Sequence, residues 1–378
     1  MRAAYLLDPA TQHPGRLAAL AGAGLDTVIT KAAAVTPGFA AAARGSGLRV
    51  IGSVPCFRAG AGPHADTAGS GLPPDAELRP VDADGRRWQR MKWYEGLIPS
   101  HDRYNRALVR HCARAAASPD LDGLALDFLR WPLHWELELR PGSRPRDGSY
   151  DPITLADFEH RTGLHPPGPT GPGTGTDPGT GHDARAAARW IGDRHREAWH
   201  AYRTATVTAV ATAVRAAVHA VRPELWTGVF LVPAPEEQRR DLLGQDTAAL
   251  GGLFDAVLVM SYHAILRHSP DLPARAAAEA RRHTDGPVVP MVQVTADPAY
   301  ARGADWGAPV GAAEYAEALA GGLHAGRGYV CLFPGEALDD ELLRLTRQRI
   351  TAAHLAEPSG AARPGRPRRR PEGEGPDE

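Results

Sequence analysis

Eight short apolar runs recur along this chain, each followed by a stretch with helical character, and that alternation limits the folds open to it. The runs are Ala3–Asp8, Thr27–Ala33, Arg49–Phe57, Gly123–Pro132, Trp226–Pro233, Ala256–His263, Val288–Thr295 and Tyr329–Pro334. Each is of strand length. The helical stretches lie near His13–Ala23, Pro37–Gly45, Ser100–Ala117, Trp199–Val221, Glu236–Leu250, Leu272–His283, Ala312–Ala325 and Asp339–Thr351. In the fourth of these, Trp199, Tyr202, Val210, Val214, Ala217, Val218 and Val221 fall mostly three and four apart, and Pro223 ends the pattern. Eight βα units predict an α/β chain closed as a (β/α)8 TIM barrel. A doubly wound sheet is the competing arrangement. It lacks a phosphate loop here, because Ala21-Gly22-Ala23-Gly24 follows the first helix rather than the first strand.

Two connections exceed the usual length. One follows strand 3, from Arg58 to about Pro99; the other follows strand 4, from Leu133 to about Ala188. Long loops on the C-terminal side of barrel strands build the cleft in such folds. Within the second, Pro166–Gly181 is almost entirely Pro, Gly and Thr, a composition that cannot bury a core. The expected barrel domain spans residues 1–352, with disorder expected at about 165–183 and in a tail, 357–378, that carries a basic Arg/Pro run.

The net charge of −1 over 378 residues gives no chain-wide pull toward nucleic acid or a membrane surface. No uninterrupted apolar run reaches the roughly 18 residues of a membrane span. Strand 1 begins within a few residues of Met1, so a cytoplasmic protein is expected. Cys56, Cys112 and Cys331 show no metal-ligand spacing and read as buried free thiols; no metal and no cofactor is expected. Nothing in the sequence speaks to oligomeric state.

In a barrel the strand C-termini converge on one mouth, which says where to look for chemistry. Strand 4, Asp122-Gly-Leu-Ala-Leu-Asp-Phe-Leu-Arg-Trp-Pro132, is the most informative. Asp127 sits in its apolar run, where an ionised carboxylate loses solvation unless a partner offsets the loss. Arg130 is the candidate partner or substrate clamp. Strand 1 delivers Asp8, strand 2 Lys31, strand 6 Tyr262 and His263, strand 7 Gln293, and Glu336 follows strand 8. The long loops add Trp88, Trp93, Tyr94, His134 and Trp135. Carboxylates, amides and Arg beside aromatic rings suit a polyhydroxylated ligand.

The strand-4 sequence resembles the Asp-Gly-x-x-x-Asp-Tyr-x-Arg-Phe/Tyr-Pro strand of the glycoside hydrolase-like TIM-barrel families. Val81-Asp-Ala-Asp-Gly85, Trp93-Tyr-Glu-Gly-Leu-Ile-Pro-Ser100, the segment from Phe158 to Gly163, Trp199 to Arg203 and Met260-Ser-Tyr-His263 are similar to further landmarks, in order over roughly residues 1–350. The resemblance implies a glycosidase. It departs at Pro99-Ser100, where these families often place Cys before the Pro. A chitinase-type terminal Glu would fall at Leu129, and strand 7 offers Gln293 in place of Glu. Glycoside hydrolysis ordinarily takes two carboxyl groups. Asp127 is the anchored one; Asp8, Glu95 and Glu336 are the contenders for the second. The alternatives are a carbohydrate-binding barrel without catalysis and, from Lys31, Schiff-base chemistry.

Overall fold

A computed structural model describes residues 1–61, 75–89, 94–168, 183–301 and 303–356. Eight parallel strands close into one barrel in chain order: β1 (Arg2–Tyr5), β2 (Thr27–Lys31), β3 (Arg49–Pro55), β4 (Gly123–Asp127), β5 (Trp226–Leu231), β6 (Ala256–Val259), β7 (Val288–Gln293) and β8 (Val330–Phe333). Closure is made by β8 on β1, where Val330 opposes Arg2 and Leu332 opposes Ala4. The fold class is therefore the (β/α)8 TIM barrel.

Alternation along each strand sorts its side chains into two layers. Ala3, Tyr5, Ile29, Ile51, Ala125, Phe230, Leu258, Met291 and Cys331 pack inside the barrel. The residues between them, such as Ala4, Val28, Val50, Leu124, Leu126, Val257 and Leu332, pack against the helices. Lys31, Ser53, Asp127 and Phe333 share the inward parity of their strands.

The helical layer comprises α1 (Pro14–Gly22), α2 (Pro37–Gly45), α3 (Asp102–Ala116), α4 (Trp135–Glu138), α5 (Pro152–Thr162), α6 (Ala184–Trp190), α7 (Arg196–Val221), α8 (Glu236–Leu243), α9 (Thr247–Leu253), α10 (His263–Leu266), α11 (Leu272–Ala280), α12 (Pro298–Ala301), α13 (Ala312–Ala325) and α14 (Asp340–Ala356). Polar side chains start several of them: Thr36, Asp151, Asp183 and Asp246 each accept a backbone N–H of the first turn. The expected single helix over Glu236–Leu250 is two helices, because Gly244 turns left-handed at φ 66° and ends α8. The run Ala184–Val221, joined through a π-helical turn at Ile191–His195, is long and apolar enough by composition to span a membrane. As a run it is broken by charged residues such as Arg203 and Arg215. Here Trp199, Tyr202, Val207, Val210, Val214 and Val218 are buried, and α7 lies along α3.

The two long connections form one ledge over the mouth. Arg58 bridges Gly96, Val81 bridges Arg87, and Asp82 bridges Gly148 from the second connection. All three cysteines are buried free thiols. Of the expected Pro/Gly/Thr insertion, residues 169–182 lie outside the described residues, as do the tail 357–378 and Trp93.

Candidate active site

A cavity of about 370 Å³ opens at the C-terminal ends of the strands. Its floor is aromatic: Tyr5 of β1, Phe230 of β5, Tyr262 after β6 and Phe333 of β8 all line it. Tyr262 stacks on Phe333 at 4.6 Å, and Trp306 packs against Phe333 at 5.2 Å. Lys31, Ser53, Arg58, Asp127 and Arg130 occupy the side formed by β2, β3 and β4.

Asp127 ends β4. Burial pushes its carboxyl up to about 6, against the opposing pull of the Phe128 N–H, Arg130, Arg58 and Lys31. The Phe128 amide donates to Asp127 Oδ1 at 2.8 Å. To place that amide, Phe128 takes φ 52°, a left-handed conformation rare for an aromatic residue. Its ring is held by a stack on Tyr94 at 5.4 Å, with the Arg130 and Arg58 guanidinium groups over its faces at 5.5 and 5.8 Å.

Arg130 is 2% exposed and fastens the turn beyond β4. It donates to Tyr94 Oη at 3.3 Å, Trp131 O at 3.3 Å and Leu133 O at 3.1 Å. That turn delivers α4, which carries Trp135 and Glu136 into the cavity. Among the described residues the cavity is lined by the carboxyls of Asp127, Asp305 and Glu136, and not by those of Asp8, Glu95 or Glu336; nearest to Asp127 in sequence is Glu136. Burial raises it to about 7; the Arg130 charge lowers it and the Asp127 charge raises it further. Its Oε2 is buried without a hydrogen-bond partner.

The neighbours of Glu136 hold α4 in place. Arg146 donates to Glu138 at 2.8 and 3.0 Å and reaches His134 Nδ1 at 2.7 Å. His134 is held neutral, pushed down to about 4 by burial and the Arg146 and Arg130 charges. His134 and Tyr94, expected in the cleft, thus sit beneath it as supports and are not among the lining residues.

Other expected placements are corrected. Asp8 caps the turn Pro9–Thr11, accepting from Ala10 N at 3.1 Å, while its own N–H donates to Glu336 at 2.9 Å. Asp8 and Glu336 therefore tie the β1 and β8 loops together instead of facing the cavity. Glu95 pairs with Arg79 at 3.0 Å in the ledge. His263 is fully buried and turns outward, its Nε2 at 3.0 Å from Glu314 of α13. The reason is that β6 ends at Val259, and Tyr262 caps α10, so the alternation of a strand no longer applies at 263.

Gln293 has the inward parity but is used internally. Its Oε1 accepts from Ile265 N at 3.0 Å, and its Nε2 donates to Thr295 O at 2.9 Å and Trp306 O at 3.2 Å. It staples α10 to the loop after β7, the wall that brings Tyr300, Asp305 and Trp306 to the cavity. Asp305 in that wall is itself occupied by Arg140 at 2.7 Å and Arg267 at 3.1 Å. Among the described residues no cluster of three His, Cys, Asp or Glu could hold a metal ion.

No protein-family model matches the sequence. A search of curated proteins gives no significant match. Solved structures do match. The glycoside hydrolase domain of PgaB (BpsB) from Bordetella bronchiseptica superposes with a TM-score of 0.63 at 13% identity, covering 91% of this chain and 97% of that one. The catalytic domain of β-amylase from Paenibacillus polymyxa gives 0.56 at 13% identity, over 93% and 98%. A β-galactosidase from Halorubrum lacusprofundi gives 0.61 at 13% identity; the match spans 94% of this chain and 58% of that one. At such identities the likeness is one of fold.

Proposed function

We propose that this protein hydrolyses a glycosidic bond, with Glu136 as the acid and Asp127 as the carboxylate that works with it. The observation that carries this reading is the pairing of two carboxyl groups in one aromatic-lined cavity at the barrel mouth. Both are held above the ordinary carboxylate range by burial. Two carboxyls that both titrate above their usual range can share the acid and base roles between them. Asp127, beside three cations, is the one that ionises first. Glu136, with a buried oxygen lacking a partner, keeps its proton nearer neutrality.

In the forward step Glu136 gives its proton to the departing glycosidic oxygen as the C–O bond breaks. Asp127 either attacks the sugar carbon or takes a proton from the attacking water, and water supplies the new hydroxyl. Trp135, Tyr262 and Trp306 supply apolar faces for a sugar ring. The fold it shares with the carbohydrate-active structures above is in keeping with the reading and does not choose a substrate.

The test is a screen of the full chain on chromogenic glycosides, followed by Asp127→Asn and Glu136→Gln on any substrate found. Asp127→Asn should lose about 10²-fold or more in kcat on any substrate, and Glu136→Gln should lose as much where the leaving group is unactivated. The wild-type kcat/KM should rise with pH through about 6, as Asp127 ionises, and fall through about 7, as Glu136 loses its proton. Full turnover in Glu136→Gln with an activated leaving group and with an unactivated one would remove Glu136 as the acid. Sugar binding without any turnover in the wild type would favour a binding barrel.

A further inference from the structure

The cavity is polar on one side and apolar on the other. Ser53 of β3 and Asp127 of β4 line the first side, with Lys31 and Arg58 beside them. Across the closed barrel, the later strands and their loops contribute Phe230, Met260, Ile265, Ala301, Ala304 and Trp306. Among the described residues, the polar side chains on this second wall are Tyr262, Tyr300 and Asp305. Two of them are already engaged. The Tyr262 hydroxyl donates to Met291 Sδ at 3.5 Å. Asp305 Oδ2 accepts from Arg140 at 2.7 Å and from Arg267 at 3.1 Å, and its Oδ1 accepts from Gly307 N at 2.9 Å.

The position of Glu136 decides which half of the substrate meets that wall. Its helix, α4, leans on the loops after β6 and β7. Trp135 packs against Tyr262 at 6.0 Å, and Arg140, just past the helix, donates to Ile265 O and to Asp305 O, both at 2.8 Å. Gly307, at φ 89°, lets the Trp306 loop lie close on α10; a side chain there would collide with the Ala264 carbonyl. An acid on α4 protonates the oxygen of the leaving group. The leaving group therefore lies on the α4 side of the breaking bond, against these loops, while the sugar stays with Asp127.

A second sugar in that place could rest one face on Trp306. The hydroxyls around its edge would then meet Ile265, Ala301 and Ala304. A hydroxyl that leaves water without gaining a partner costs free energy, and the Tyr300 hydroxyl cannot serve several. An apolar group in the same place gains by leaving water and asks for no partner. We propose that the leaving group taken by this cavity is an apolar alcohol, aryl or alkyl, seated between α4 and the loops after β6 and β7. The substrate is then a glycoside of a hydrophobic aglycone and not a chain of sugars. The inference rests on the hydrolase reading and names its substrate class.

The experiment uses the full chain and the sugar and anomer that the chromogenic screen selects. The methyl, n-hexyl and 2-phenylethyl glycosides of that sugar are compared with the disaccharide in which it is linked to O6 of glucose. All four release a primary alcohol, so the bond broken is closely matched. The hexyl or the 2-phenylethyl glycoside should exceed both the methyl glycoside and the disaccharide at least tenfold in kcat/KM, and the better of the two tells chain from ring. Trp306→Ala and Ala304→Gln should each lower the ratio of that glycoside to the disaccharide by about tenfold. Ala304 is half-buried, so its variant answers the question even where Trp306→Ala fails to fold. Equal losses on all four substrates in Ala304→Gln would take the leaving group away from this wall and overturn the proposal. A disaccharide cleaved as well as the apolar glycosides also overturns it, while leaving the hydrolase reading intact. If no glycoside is cleaved, the hydrolase reading falls, and calorimetry on the same four forms in the gluco and galacto series decides the rest. Tighter binding of the hexyl or 2-phenylethyl form than of the methyl form keeps the apolar site; equal binding, or none, removes it too.

Discussion

Phe128 shows how much of this site is decided by single residues. An aromatic side chain at φ 52° costs roughly 1–3 kcal/mol of backbone strain, and the stack on Tyr94 and two guanidinium contacts hold it there. In return, its amide points at Asp127. Asp127 itself was readable from the sequence: a carboxylate at the end of an apolar strand, at the same parity as Ala125. Glu136 was not, although both residues before it, His134 and Trp135, were singled out. On a short helix after a turn, rotation decides which side chain faces the cavity, and neither spacing nor composition reports that rotation. The raised position of Glu136 has a consequence for stability. A carboxyl with its folded-state value above its unfolded value favours folding below about 4.5, and that contribution is lost as pH rises through about 7. Glu136→Gln removes the charge that burial opposes. Its melting temperature should exceed that of wild type at pH 8, by the equivalent of roughly 1–3 kcal/mol, and the gap should close by pH 4. Equal melting temperatures at pH 8 would show that the carboxylate is well solvated after all.

At the scale of elements, the strands and the main helices were legible, because strands buried on both faces read as short continuous apolar runs and the helices repeat theirs at threes and fours. Boundaries at the mouth were not. The reading carried strand 6 on to His263, whereas β6 stops at Val259 and α10 starts at His263. Taking His263 as the end of strand 6 placed it at the mouth, and the helix turns it to Glu314 instead. Gln293, expected at the mouth as the end of strand 7, does have the inward parity there, but internal hydrogen bonds absorb it. Those three bonds join β7, α10 and the Trp306 loop. Gln293→Leu, close in volume, should leave the Ile265 N–H and two carbonyls to find other partners. Destabilisation of about 2–3 kcal/mol is expected, read by urea unfolding. Trp306 fluorescence should also become more readily quenched by iodide as its wall loosens. A variant as stable as wild type would mean that water replaces Gln293 without loss.

On the scale of the whole molecule, closure of the sheet removes edge strands. In an open sheet the outer strands exchange their amide hydrogens faster than the central ones. Here β1 is paired on both sides, to β2 and to β8, as β4 is to β3 and β5. Hydrogen exchange should therefore show paired amides of β1 and β8 protected to within about tenfold of those in β4 and β5. Much faster exchange in β1 alone would indicate that the seam opens by itself. The count of eight units made this closure predictable; the ledge built by the two long connections was not, since its three bridges join residues of no strand pattern. The seam has a further implication for how the chain could be rewired. Because Arg2 opposes Val330, the first and last strands of the barrel are neighbours, at the face away from the cavity. The order in which the eight units are strung is thus a matter of covalent bookkeeping. Linking the segment after α14 to the start of β1, and cutting instead between α7 and β5, gives a circular permutant that retains every strand pairing and leaves the span from Asp127 to Glu136 uncut.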